Sequence, residues 1–453
     1  MAKTLLTIGC VAIVVSLYCH GAVEHLNKRN LDMTSTDQSA YMDYAISVYR
    51  LIHENEYFYG DGARMPLYPL LQSLVYHPDL TDEEYFVRGK YFNIGLSLVT
   101  LVAVHLILRD CLPRLHAATL TLVTAFTVFI FKAAYFHVAL LFYFFNFWAY
   151  LLMCRSLINP TWKSSILVGF VIGLAYLTKA AMLPALGLFV VFSLAQVGYL
   201  LYGRWKRRTD LPCLISGENR PVFRLLCVVL VVLSFLGTVY RFIVQTKDVF
   251  GRYFYNVNTT FYMWYDSWGE AKRGTRAHGD RYGWPDMPPE QIPSARKYLR
   301  EHTTQQIVDR VLDGIKKVHS VCSTSYGYYK YVLIYSAFLA ILVILNRRHN
   351  VRLAIEHRFA LLFSLSYFVA YLLSYAWFSP VAGGNRFVLA QFLPFMFSIL
   401  CGISKQPSTH ISIPSTEVRL RLSDVMHVFV LLVLAFDMYL ILTERITTMY
   451  GGT

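Results

Sequence analysis

The chain has 453 residues, 56% of them hydrophobic and only 15% charged, with a positive mean hydropathy. That balance excludes a soluble globular protein of this length and leaves a polytopic membrane protein. The net charge of +14 comes from basic residues scattered among short loops rather than interleaved with stacking aromatics on one platform, which excludes nucleic acid as the partner.

Apolar runs near the ~20 residues that cross a bilayer as a helix recur along the chain. They are placed at 4–20, 91–108, 116–132, 136–153, 164–178, 181–202, 223–243, 330–346, 358–377, 387–402 and 425–443, which predicts an all-α polytopic fold of about eleven transmembrane helices. The first run also has the makings of a signal peptide, with Lys3 ahead of an apolar core and small residues at Gly21 and Ala22. Retention as a spanning helix is the reading preferred here.

Lys and Arg accumulate in cytoplasmic short loops. Arg109 with Arg114, Arg155 with Lys163, the cluster Arg204, Lys206, Arg207 and Arg208, then Arg347, Arg348 and Arg352, and finally Lys405, Arg419 and Arg421 all share one side if Lys3 starts inside. Segments 21–90 and 244–329 and the C-terminus are then extracytoplasmic. Three parts follow: 1–243, an N-terminal transmembrane module with the first outer loop; 244–329, a second outer loop; and 330–453, the C-terminal helices. Of eight cysteines only Cys322 lies well inside an outer loop, while the others, Cys213 among them, sit in or beside helices or in cytosolic loops, so no disulfide framework or zinc motif is readable.

From Asp37 onward Tyr41, Tyr44, Ala45, Val48, Leu51 and Ile52 follow helical spacing, with Asp43, Ser47, Arg50, His53 and Glu54 on the other face. The bland role of Asp37 is to cap this amphipathic helix. In the second outer loop "GDRYGWPDMPPEQIP" (279–293) is an irregular, proline-punctuated stretch. A second amphipathic helix is expected over about 294–317, striped with Tyr298, Ile307, Val311, Ile315 and Val318 and suited to the outer membrane surface.

Several basic residues stand at outer helix ends, where short-loop positive charge is otherwise rare: Lys132 in "FIFKAAYFH", Lys179 in "LAYLTKAAMLPAL" and Arg386 in "SPVAGGNRFVLAQFLPF", with Arg64 ahead of Pro66 and Pro69 in "GDGARMPLYPLL". Taken singly, each is a side chain snorkelling to the interface. Taken together near one acid, they suggest a membrane-level site for an anionic headgroup.

In order and placement these features resemble the GT-C superfamily of integral-membrane glycosyltransferases, in particular the branch with protein O-mannosyltransferases and lipid A aminoarabinose transferases. There, an outer loop opens with an Asp-Glu pair and a Tyr, a basic residue precedes a Pro-rich turn, and an "LTKG"-like hairpin and a late "RY" follow. Here the counterparts are Asp37-Gln38 with Tyr41, Arg64-Met65-Pro66, Leu177-Thr178-Lys179-Ala180, and Arg386-Phe387 with Pro394. Gln38, Ala180 and Phe387 depart from the pattern. The resemblance implies a GT-C-like helical bundle and a sugar transfer from a polyprenyl-phosphate donor to a protein or glycolipid acceptor hydroxyl, in a bacterial plasma membrane or the endoplasmic reticulum membrane. Asp37 is the implied catalytic base, and Tyr41, Arg64, Lys179 and Arg386 are the implied substrate-binding residues. No cofactor is implied with certainty, no metal ligand is assigned, and a divalent metal stays open because Gln38 replaces the second acid.

The chemistry is coherent on its own terms. A phosphate leaving group needs charge stabilisation more than protonation, so one carboxylate suffices as general base. Direct displacement predicts inversion at the sugar. The competing expectations are a membrane transporter, which should bury charge mid-helix and show broken helices or repeated halves, and a non-catalytic polyprenyl-lipid-binding protein that uses Asp37 as a cap.

Overall fold

The computed structural model describes residues 2–55, 61–205, 221–407, 410–412 and 419–451. The Lys206, Arg207 and Arg208 cluster and Cys213 lie outside the described residues, as do the side chains of Lys3, Arg204 and Arg419.

The architecture is a helical membrane bundle. Ten helices are long and apolar enough to cross a bilayer among the described residues, and an eleventh, Trp162–Thr178, is 17 residues long. In chain order the main helices are α1 (Ala2–Arg29), α2 (Gln38–His53), α3 (Leu67–Ser73), α4 (Asp82–Arg109), α5 (Arg114–Ala133), α6 (Ala139–Ile158), α7 (Trp162–Thr178), α8 (Leu183–Trp205) and α9 (Pro221–Phe250). They continue with α10 (Ala295–Glu301), α11 (Thr304–Thr324), α12 (Tyr328–Leu345), α13 (Arg347–Glu356), α14 (Arg358–Phe378), α15 (Asn385–Ser404) and α16 (Leu422–Thr448). One departure from an all-helical chain is a small antiparallel pair, β1 (His410–Ser412) and β2 (Arg419–Arg421), with His410 opposite Arg421.

Several ends fall outside the apolar runs for local reasons. Helix α4 starts at Asp82 rather than 91 because Thr81 and Glu84 form a reciprocal capping box. The expected single helix over 294–317 is two helices, since Thr303 forms a second such box with Gln306 and starts α11 anew. Nor does α11 lie free on a membrane surface. Its stripe packs along α14, close enough that a Cβ on Gly314 would meet the Ala376 carbonyl oxygen at 2.1 Å. Helix α9 runs on to Phe250, seven residues past the expected end of its module at 243. The stretch after α12 is not a plain loop but α13, carrying Arg347, Arg348 and Arg352.

The bundle is inverted relative to a soluble protein. Exposed positions on its outer helices are apolar, such as Val99, Val102 and Leu106 on α4 and Val222, Leu226 and Leu233 on α9, as a lipid-facing surface requires. The centre is formed by α5 and α6, with 78% and 72% of their spans buried. Polar residues inside it are partnered: Asn146 of α6 donates to the Ala390 carbonyl (2.9 Å) and accepts from the Tyr367 hydroxyl (2.9 Å), and Tyr150 bonds Ser364 and Ser398. With no water to satisfy them, such groups lock neighbouring helices together. At the start of α12, just after residue 327, Lys330 and Tyr331 both engage the buried Asp437 of α16.

Helix ends sort onto two faces. On one, Arg155 reaches Cys111, His116 meets Ser404, and His349 meets the Lys405 carbonyl. On the other, His25 and Arg29 of α1 bond the last turn of α16, and Lys132 at the end of α5 donates to the Gly451 carbonyl. The non-spanning residues 30–55, 61–81 and 251–327 sit on this second face, joined where Val257 donates to the Gly62 carbonyl and Gly62 to that of Arg281. Within the second segment Asp266 ties Tyr298, His302 and Arg310 together.

Candidate functional site

Helix α2 is approached through a tight polar turn. Asp32 accepts from the amide and hydroxyl of Thr34, and Thr36 takes a left-handed backbone conformation, φ 60°. That region is costly for a β-branched residue and is tolerated where the surroundings demand it. Asp37 therefore occupies the N-cap position of α2 but makes no side-chain cap bond. Its carboxylate turns to two guanidiniums instead: Oδ1 accepts from Arg64 at 2.9 Å and Oδ2 from Arg386 at 2.8 Å. The capping expectation is thereby corrected, because the chain entry at Thr36 aims the side chain away from the helix amides.

Gln38, the next residue, points the other way. It is fully buried, pairs reciprocally with the Asn30 amide (2.8 Å both ways) and accepts from the Phe136 amide at 2.9 Å. A carboxylate has no proton to give Asn30, so an amide here is a structural requirement. It fixes α2 to the 134–138 link between α5 and α6.

Arg64 is 6% exposed and is shared between Asp37 and Asp61, over the ring of Tyr41 at 5.4 Å. Asp61 also accepts from the Ala63 amide, so it holds the turn that presents Arg64. Tyr41 is buried, edge-on to Tyr68 and His137, and supports these groups rather than bonding Asp37. Arg386 starts α15 after Gly383 and Gly384, and its neighbour Asn385 accepts from Lys132. Lys132 thus serves as a brace between α15 and Gly451, at 2.8 and 2.6 Å, instead of a snorkelling side chain. A π-helical turn at Ala125–Phe129 precedes it and re-aims the end of α5.

Lys179 lies in the link between α7 and α8, with Nζ 4.1 Å from the Phe387 ring and 5.4 Å from that of Phe142. Among the described residues no carboxylate pairs with it. Burial and then the Arg386 guanidinium push its ammonium down to about 7. Burial by itself would raise the Asp37 carboxyl, but Arg386, Arg64 and His137 outweigh it and hold it well below the usual carboxylate range.

The structure thus brings Asp37, Tyr41, Arg64, Lys179 and Arg386 together from four separate segments at one end of the bundle. Asp37 and Asp61 pair with Arg64 and Arg386, and Lys179 has no carboxylate partner among the described residues. Two participants escape the sequence reading, Asp61 and His137. His137 is 7% exposed, with Nε2 3.2 Å from Arg386 Nη1. Its only sequence signal is a polar residue between two adjacent spans. For a divalent metal the donor set is a poor fit: Asp37 faces guanidiniums, Gln38 is turned inward, and among the described residues no three His, Cys, Asp or Glu side chains converge as ligands.

Fold and site define a multi-pass membrane protein with a cationic, carboxylate-bearing cluster at one end of its helical bundle. No protein-family model and no curated protein sequence matches the chain.

Proposed function

We propose that this protein is a GT-C-type glycosyltransferase that moves a sugar from a polyprenyl-phosphate donor to an acceptor hydroxyl on the extracytoplasmic side, with inversion. The observation that carries the reading is the clamp of Arg64 and Arg386 on Asp37, with the unpaired Lys179 beside it.

In this reading Asp37 occupies the anion position until donor arrives. The donor phosphate competes for the guanidiniums, Arg binding it with paired N–H donors and Lys179 as a point charge. Asp37, released from its partners, regains a more ordinary basicity. It takes the proton of the acceptor hydroxyl as that oxygen attacks the anomeric carbon, and the bond from that carbon to the phosphate oxygen breaks. The electron pair leaves on the phosphate, whose charge the three cations stabilise. General-base help of this kind is worth ~10²–10⁴-fold. Protein or glycolipid hydroxyls fit as acceptors, and a bacterial plasma membrane or the endoplasmic reticulum membrane fits as host.

A non-catalytic polyprenyl-phosphate-binding protein is the second reading, favoured by the strongly suppressed basicity of Asp37 in the clamp. Native mass spectrometry of the purified protein, followed by a transfer assay with a polyprenyl-phosphate sugar, tests both. A bound lipid phosphate with measurable transfer supports the enzyme. A bound lipid phosphate without transfer leaves the binding protein, and neither lipid nor transfer overturns both.

A further inference from the structure

The face opposite the clamp carries a surface that the reaction above leaves unused. Helix α13 joins two spanning helices directly, with Asn346 alone between it and α12 and His357 alone between it and α14. It therefore sits where the bundle leaves the bilayer. One side of it is anchored: His349 donates to the Lys405 carbonyl at 2.9 Å, and Asn350 and Gln406 exchange amide hydrogen bonds at 3.0 and 2.7 Å. No residue of α13 is buried even so.

The outward side is ordered. At ~100° of rotation per residue, Val351 and Ile355 lie next to each other, with Arg347 on one side of the pair and Arg348 and Arg352 on the other. Val351 is 52% and Ile355 46% exposed, and all three arginines are exposed. Among the described residues no carboxylate pairs with any of the three guanidiniums. Glu356, the one acid of the helix, lies beyond Arg352 and bonds none of them.

Facing water, this side would leave its apolar pair solvated, and facing hydrocarbon it would strip the guanidiniums of partners. The headgroup layer satisfies both. Val351 and Ile355 reach the acyl boundary there, while the arginines, whose stems are apolar, spread to phosphates at the edges of the helix. The lipid-facing surface leads directly to it, because Val343, Ile344 and Leu345 at the end of α12 are 39%, 75% and 66% exposed. Guanidiniums match phosphate with paired N–H donors, and three cations with no acid among them favour anionic over zwitterionic headgroups.

We infer that α13 is a lipid-binding helix: Arg347, Arg348 and Arg352 hold the phosphate groups of anionic phospholipids in the leaflet at that face, and Val351 and Ile355 seat among the acyl chains. The surface is separate from the Asp37 clamp and stands whether or not sugar transfer occurs there.

The test titrates the purified full-length chain in detergent with phosphatidylglycerol or with phosphatidylcholine of the same acyl chains, and native mass spectrometry reads the Kd of each. An arginine close to anionic lipid is worth about five-fold in affinity. Arg347→Gln/Arg348→Gln/Arg352→Gln is therefore expected to raise the phosphatidylglycerol Kd by about ten-fold to a hundred-fold and leave phosphatidylcholine unchanged. The corresponding triple lysine variant, which keeps the charge, should retain most of the affinity. Val351→Ser/Ile355→Ser should weaken both lipids. Thermal unfolding checks the fold of each variant, and Arg348→Gln and Arg352→Gln singly, at exposed positions, repeat the measurement with an expected loss of about five-fold each. Arg109→Gln/Arg114→Gln/Lys163→Gln, exposed basic residues of the same face, should change phosphatidylglycerol binding by less than about two-fold. Equal Kd values for the two lipids in the wild type, or an unchanged phosphatidylglycerol Kd without the three arginines, would overturn the inference. An equal loss in the second glutamine triple would overturn it too, by assigning the preference to the diffuse charge of the whole face.

Discussion

At Asp37 the choice between helix cap and ion-pair partner comes down to one torsion and two guanidiniums. Asp37→Asn keeps the shape but removes the proton acceptor, so transfer is expected to fall by ~10²-fold or more while polyprenyl-phosphate binding persists. Asp43, exposed on the far side of α2 with its hydroxyl neighbour Ser47 bonded to its carbonyl, is the control and should tolerate Asn. Full transfer by the Asp37→Asn protein would end its catalytic assignment. Gln38 offers the converse case. If it were merely a lost acid, Gln38→Glu would be harmless or helpful. Because its buried amide donates to Asn30, the change is expected instead to destabilise the protein by about 1–3 kcal/mol, read as a lower unfolding temperature. Lys179 supplies a pH dependence with a definite sign. A lysine depressed to about 7 loses its proton as pH rises through that value, so donor affinity should weaken about ten-fold between pH 6 and 8. Lys179→Arg, which stays charged, should flatten that profile; a flat wild-type profile would remove Lys179 from the phosphate site.

Among the elements, α11 depends on a single side chain being absent. Gly314 lets its backbone approach α14 at Ala376, and the same contact region carries the Arg310 bonds to Trp377, Met263 and Tyr265. Gly314→Ala places a methyl 2.1 Å from a carbonyl oxygen that cannot yield without moving α14. Overpacking of this kind costs about 1–3 kcal/mol, so a clear drop in unfolding temperature is expected, alongside little change for Gly187→Ala, where the space is open. Equal stability of the two variants would show that α11 is not held by this approach. The division of the expected 294–317 helix at Thr303 has the same origin in local chemistry: a capping box outweighs a continuous apolar period when the stripe must turn to reach α14.

On the scale of the whole molecule, the sorting of helix ends onto two faces is the property that makes a site. Residues 30–55 and 61–81, Lys132, His137, Lys179, Arg386 and Gly451 meet on one face, which takes an odd number of crossings between Lys3 and Gly451. Orientation is expected from the positive-inside bias. Cysteines at the exposed positions 282 and 348, on opposite faces, test it: an impermeant thiol reagent on intact cells or sealed right-side-out vesicles should label Tyr282→Cys and spare Arg348→Cys, above the background of the native cysteines. The reverse pattern would invert the topology and the side on which sugar is transferred.

Membrane class, the number and order of apolar helices and the amphipathic character of α2 were legible in the sequence, because they are local properties: hydropathy needs only a window of ~20 residues, and a 3.6-residue period only two or three turns. The stripe Tyr41, Tyr44, Ala45 and Val48 is buried as its spacing predicts, and only Ile52 at its end is exposed, at 53%. What tertiary structure alone decided is partnership. Whether Asp37 caps or pairs depends on Arg64 and on Arg386, 349 positions away. The meaning of Gln38 depends on Asn30 and on Phe136, 98 positions away. Electrostatic and hydrogen-bonding roles belong to pairs of groups in a low-dielectric interior, and a sequence read one window at a time contains only one member of each pair.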